Sequence, residues 1–68
     1  MLDRKKLAER LRMERARMKV TQAEVAEAIG TTPSVICNYE NGTHVPTLTN
    51  TAALAKFYGV TTDYLIGK

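Results

Sequence analysis

Two helix beginnings and two helix ends are crowded into residues 21–42, which limits the folds open to this chain more than any bulk property does. Thr21-Gln22-Ala23-Glu24 is a capping box, in which the Thr21 hydroxyl accepts from the Glu24 N–H and the Glu24 carboxylate accepts from the Thr21 N–H. Val25, Ala26 and Ile29 then give an apolar face at helical spacing, and Gly30 stops the helix as a left-handed cap. Thr32 caps the next helix. Pro33 takes its first position, where a missing N–H costs nothing, and the turn dipeptide Asn41-Gly42 ends it. Only Gly30, Thr31 and the cap separate the two helices.

The rest of the chain follows the same punctuation. Residues 4–17 contain no Gly, Pro or β-branched residue and are rich in Arg, Lys, Leu, Ala and Glu, so they form a first helix. On a 100° wheel, Leu7, Leu11, Ala8, Arg4 and Arg15 share the inward stripe, so Arg15 needs a carboxylate partner; the other basic residues of this helix are expected to fan outward. Residues 43–46 form a loop. Thr47 caps a fourth helix through Tyr58, closed by Gly59, whose buried side runs from Leu48 through Ala55, Thr51 and Tyr58 to Leu54, with Phe57 on the opposite side. Thr61 caps a last short turn, residues 62–66. No segment alternates like a strand. The expected fold is all-α, five helices with short connections, in which 21–29 and 32–41 have the layout of a helix-turn-helix.

At 68 residues the chain accommodates one domain, residues 1–68 with a core in 7–66. Its single Cys37 forms no internal disulfide. Cys37 and His44 together offer two ligands where a structural zinc site wants four, so neither a metal nor another cofactor is expected. No apolar run reaches the ~18 residues of a membrane span, and the charged start lacks an apolar segment behind it, which leads to the expectation of a cytoplasmic protein with no membrane contact. The formal charge is +3. Residues 1–19 carry eight basic against three acidic residues, +5, while residues 20–68 carry −2, so the positive charge belongs to the first helix. There is no phosphate-binding G-x-x-x-x-G-K-S/T loop and no paired-acid metal spacing, so enzymatic activity is not expected.

The string VTQAEVAEAIGTTPSVICNYENGTHVPTL, followed by LAKFYGVTTDYLIG, resembles the lambda-repressor-like (XRE-type) helix-turn-helix family of phage repressors, Cro proteins and small bacterial regulators. The resemblance implies five helices, the third lying in the major groove of double-stranded DNA. It also implies that Gln22 opens helix two, that Ala26 and Gly30 make the tight contact of the turn, and that Ile36 and Tyr39 anchor helix three. From spacing alone, Pro33, Ser34, Cys37, Asn38 and Asn41 share one small, polar face, which reads either as a solvated surface or as a surface for base edges.

With the resemblance, base readout falls to Pro33, Ser34, Cys37 and above all Asn38, since asparagine pairs bidentately with adenine. Phosphate contacts fall to Thr21, Gln22, Thr32, Asn41, Thr43, His44, Arg10 and Arg15, aided by backbone N–H groups at two helix starts. His44 is alternatively a plain loop histidine, and Cys37 has no nearby cation in sequence that would make it a redox switch. Family members pair the arginine at position 15 with the glutamate that ends helix three, here Glu40.

Relatives dimerise through their C-terminal region, which points to Phe57, Tyr64 and Ile66 as a homodimer surface or, equally, as residues closing the core from below. The function implied is a sequence-specific transcriptional regulator, a repressor binding a pseudo-palindromic operator as a dimer, with no small-molecule ligand. The chain departs from the family pattern in three places. Residues 31–46 contain no Lys or Arg, Pro33 and Cys37 stand where relatives carry hydrogen-bonding side chains, and Lys19 replaces a common turn glycine. The bare third helix leaves open an alternative, a protein-interaction module or antitoxin-like component built on the same fold.

Overall fold

The computed structural model describes residues 3–68. Five helices follow in order, α1 Arg4–Met18, α2 Gln22–Ile29, α3 Pro33–Glu40, α4 Leu48–Tyr58 and α5 Thr62–Leu65, and no strand occurs among the described residues. Each helix opens on a side chain that accepts a hydrogen bond from its first turn: Asp3, Thr21, Thr32, Thr47 and Thr61. The capping box at Thr21 is complete, with Glu24 N to Thr21 Oγ1 at 3.1 Å and Thr21 N to Glu24 Oε1 at 2.9 Å. Such caps contribute about 1 kcal/mol each, which matters where α2 and α3 have only eight residues apiece and short isolated helices are unstable.

The core is one cluster drawn from every helix. Leu7 and Leu11 of α1, Val25 and Ala26 of α2, Ile36 and Tyr39 of α3, Leu54, Ala55 and Tyr58 of α4, and Leu65 of α5 are all buried. The helix-turn-helix pair packs on itself and on both α1 and α4, and α5 closes the bundle against α1 and α4. Tyr39 adds a polar tie, its hydroxyl accepting from Asn50 Nδ2 at 3.0 Å.

Several expectations are corrected or refined. Leu48, placed at the start of the buried stripe of α4, is 84% exposed, because it stands at the edge of that arc and on the first turn, where the helix projects beyond the core. The last helix ends at Leu65, with Ile66 as its cap. Gly30 meets Ala26 through its backbone N–H, which donates to the Ala26 carbonyl, but lack of space is not what requires glycine: a Cβ built there meets nothing within 4 Å, and the requirement is the backbone angle, φ +77°.

Finally, Arg4, set on the inward stripe of α1, is exposed, and the outer arginines, although Arg12 and Arg17 do face solvent as expected, are tethered to other helices. Arg10 donates to the Tyr64 carbonyl and lies 4.7 Å from the Tyr64 ring centroid. Arg12 donates to the Glu40 carbonyl, and Arg17 donates to the Tyr58 carbonyl at 2.8 Å and to Glu14 at 2.7 Å. The Tyr64 carbonyl also accepts from Gly67 N at 3.3 Å; at all three helix ends the cation supplies a partner for a terminal carbonyl and complements the helix dipole.

Candidate nucleic-acid interface

The side chain that organises the α2–α3 face is Glu40, the last residue of α3 and 4% exposed. A buried carboxylate is costly unless fully hydrogen-bonded. Arg15 Nε donates to Oε2 at 2.7 Å and Arg15 Nη2 to Oε1 at 3.1 Å, a bidentate fork, while Gln22 Nε2 donates to Oε1 at 3.1 Å. Arg15 Nη1 also reaches the Val20 carbonyl at 3.1 Å. The carboxylate therefore joins α1, α2 and α3, and Arg15 extends the node to the α1–α2 connection. The hydrogen bond to Glu40 raises the Arg15 pKa above its ordinary value, so the guanidinium stays charged. The expected Arg15–Glu40 pair is present, and Gln22, expected at a phosphate, is the third member of the node.

The fixed helix presents Pro33, Ser34 and Cys37 to solvent, with Asn38 half-buried beside them and Asn41 exposed at its end. The face is flanked by two capped N-termini, at Thr21 and Thr32, both exposed. Beyond α3, Asn41 Oδ1 accepts from Thr43 N at 2.9 Å and His44 N donates to the Asn38 carbonyl at 3.2 Å, which folds the loop back over the helix end. Asn38, Asn41, Thr43 and His44 are thus brought together.

Other expected site residues lie elsewhere. Arg10 is engaged with Tyr64 on α5. Phe57 and Tyr64 are partly buried and packed against the core cluster. Phe57 packs edge-on against Tyr58, centroids 5.1 Å apart, and borders a groove with Met18, Val20 and the α2 residues Glu24 and Glu27. Tyr64 donates to Glu14 Oε2 at 3.1 Å beneath Arg10, and Ile66 borders a different groove with Leu48 and Pro46.

A second polar node was not anticipated. Glu14 is 7% exposed and accepts from Arg17 and Tyr64, which ties α1 to α5. Its signal lay in the spacing, since positions 7, 11 and 14 share a helix stripe. Among the described residues, no buried side-chain nitrogen or oxygen lacks a hydrogen-bond partner, and no group of three metal-ligating side chains is found. No helix is long and apolar enough to cross a membrane.

Comparison with known proteins agrees with this arrangement. The helix-turn-helix family profile matches residues 11–65. The P22 c2 repressor, solved in complex with a synthetic operator, is 30% identical with a TM-score of 0.87, over 90% of this chain and 92% of that one. The LexA SOS-response transcriptional repressor from Eubacterium rectale is 27% identical with a TM-score of 0.87, over all of this chain and 74% of that one. Hydroxypropylphosphonic acid epoxidase from S. wedmorenis is 28% identical with a TM-score of 0.84 over 97% of this chain, but only 35% of its own length is covered. Sequence comparison with curated proteins finds no match. The chain belongs to the lambda-repressor-like, XRE-type helix-turn-helix family of DNA-binding domains.

Proposed function

We propose that this protein is a transcriptional regulator that binds double-stranded DNA sequence-specifically, with α3 in the major groove, and that it represses by occluding promoter DNA. The observation that carries the reading is the α3 face itself. Pro33, Ser34, Cys37 and Asn38 form a narrow, small-residue surface held rigid from behind by the Arg15–Glu40–Gln22 node. A groove ~12 Å wide admits a helix whose outward side chains are small. Asn38 supplies the bidentate amide for an adenine edge, and Pro33 and Cys37 supply apolar contact to a thymine methyl. Thr21, Thr32, Asn41, Thr43 and His44 ring this face where phosphates would lie. The P22 c2 repressor, similar over nearly the whole chain, was solved in complex with a synthetic operator.

Action as a homodimer is part of the proposal. The molecule measures 28 × 23 × 20 Å, shorter than the ~34 Å between successive major-groove faces on one side of the duplex. One copy therefore reads one half-site, and two copies read a pseudo-palindrome. Selection of bound duplexes from a random library, with the mass of the free and bound protein by light scattering, tests this. The expected result is an enriched palindrome with half-sites ~10 base pairs apart and two chains per duplex. A pool without an enriched motif contradicts it.

One observation favours a second reading. Residues 31–46 contain no Lys or Arg, so α3 and its loop offer DNA no side-chain cation, which also suits a module that binds protein. That reading predicts no duplex selection and a stable complex with a partner chain.

A further inference from the structure

The bare third helix raises the question of where this protein meets the DNA backbone with charge, since phosphate neutralisation dominates affinity. The answer lies beside α3. A cleft of about 440 Å³ opens between the first half of α1 and the turn that ends α3, bordered by Arg4, Lys5, Glu9, Arg12, Asn41 and Gly42. Its α1 wall carries three cations and one carboxylate, Glu9. Arg12 is anchored by donating to the Glu40 carbonyl, and the Arg4 stem runs alongside Gly42, its Cγ 3.9 Å from where a Cβ would stand. Arg4 and Lys5 are exposed, as is Asn41.

We propose that this cleft is an anion site that takes a DNA phosphodiester next to the end of α3, with Arg4 and Lys5 supplying the charge missing from residues 31–46. It rests on the reading of α3 as the DNA-facing helix. The cleft adjoins Asn41 and Gly42 at the end of that helix, so a duplex lying on α3 passes over its mouth. Arg12 positions the wall through its bond to the Glu40 carbonyl, and Arg4 and Lys5 reach the phosphate. Phosphate recognition of this kind adds affinity and salt dependence without sequence preference. A structural role for the same cations, complementing the negative end of the α3 dipole, makes a different prediction, loss of thermal stability.

The test compares wild type with Arg4→Gln/Lys5→Gln, leaving Arg12 in place, on two labelled duplexes of about 20 base pairs, one recovered by selection and one scrambled. Anisotropy is read across a salt series, with melting curves alongside. The expected result is severalfold weaker binding to both duplexes, a log K against log salt slope shallower by about 0.9 for each phosphate that is no longer neutralised, and an unchanged melting temperature. An unchanged slope on both duplexes overturns the proposal, as does a fall in affinity that tracks a fall in stability. So does a wild-type protein that binds neither duplex, or one whose Arg4 and Lys5 resonances respond to inorganic phosphate but not to DNA. Failure of sequence reading is distinguishable: wild type then binds both duplexes equally, while the difference in slope between wild type and variant still reports on the cleft.

Discussion

Arg15 grips Glu40 through two parallel hydrogen bonds, Nε to Oε2 at 2.7 Å and Nη2 to Oε1 at 3.1 Å, yet the two partners are unequally buried, with 28% of the arginine side chain and 5% of the glutamate exposed. Removing either one therefore has different consequences. Arg15→Leu strands a carboxylate in the core and is expected to lower stability by about 3–5 kcal/mol. Glu40→Ala leaves a guanidinium that turns toward water, and is expected to cost less. Urea denaturation of the two single variants and the double variant checks this: the double variant should be more stable than Arg15→Leu alone.

Lys19 and Gly30 occupy the same backbone region with opposite consequences. Lys19 caps α1 at φ 55°, the only non-glycine residue with positive φ among those described, and Gly30 caps α2 at φ 77°. A side chain in this region costs about 1–2 kcal/mol, offset in part by glycine's greater freedom when unfolded. Lys19→Gly should raise stability by about 0.5–1 kcal/mol, and Gly30→Ala should lower it by about 1 kcal/mol although space is open. Thermal melts of both variants check the two signs together.

Tyr58 makes stability depend on alkaline pH. Burial, reinforced by the nearby Glu40 charge, pushes its phenol up to about 12 from an ordinary 10.0. The folded chain holds this proton more tightly than the unfolded one, so the contribution is complete below pH ~10 and is lost as pH rises toward 12, about 2 kcal/mol in all. Tyr64 is raised as well, by desolvation and by its hydrogen bond to Glu14, and acts in the same direction. Denaturation midpoints between pH ~9 and ~12 should fall less steeply for Tyr58→Phe than for wild type.

Tyr64 also tests the clasp between α1 and α5. Its hydroxyl donates to the buried Glu14 carboxylate at 3.1 Å, and Arg17 supplies the other partner. Tyr64→Phe should cost about 1–2 kcal/mol, the worth of a hydrogen bond to a charged group. Hydrogen exchange should show α5 opening more readily while α2 and α3 keep their protection.

The local punctuation of the chain was legible without any structure. Thr21, Thr32, Thr47 and Thr61 cap the helices the sequence places after them, Gly30 and Gly59 end two of them, and the α3 face from Pro33 to Asn41 lies outward where its spacing puts it. Such signals act over one turn and need no knowledge of packing. What sequence could not assign were the partners of long side chains. Arg10, Arg12 and Arg17 reach carbonyls 54, 28 and 41 residues away, distances over which periodicity says nothing. Glu40 became Arg15's partner only through family resemblance, because spacing demanded a carboxylate and left its identity open. Glu14 shares the helix stripe of Leu7 and Leu11, but a carboxylate on that stripe carries no mark of the Arg17 and Tyr64 that satisfy it. The helix wheel set Leu48 in the buried stripe without registering that the core ends below the first turn of α4.

The central claim is that α3 reads bases, and Asn38 tests it most directly. Anisotropy titrations of wild type and Asn38→Ala against a selected duplex and a scrambled one, at about 150 mM salt, measure discrimination itself. The predicted result is a wild-type preference for the selected duplex that falls by about 5- to 150-fold in Asn38→Ala, the equivalent of ~1–3 kcal/mol for one bidentate contact, with binding to the scrambled duplex unchanged. Equal binding of both duplexes by both proteins, and only at low salt, would contradict it.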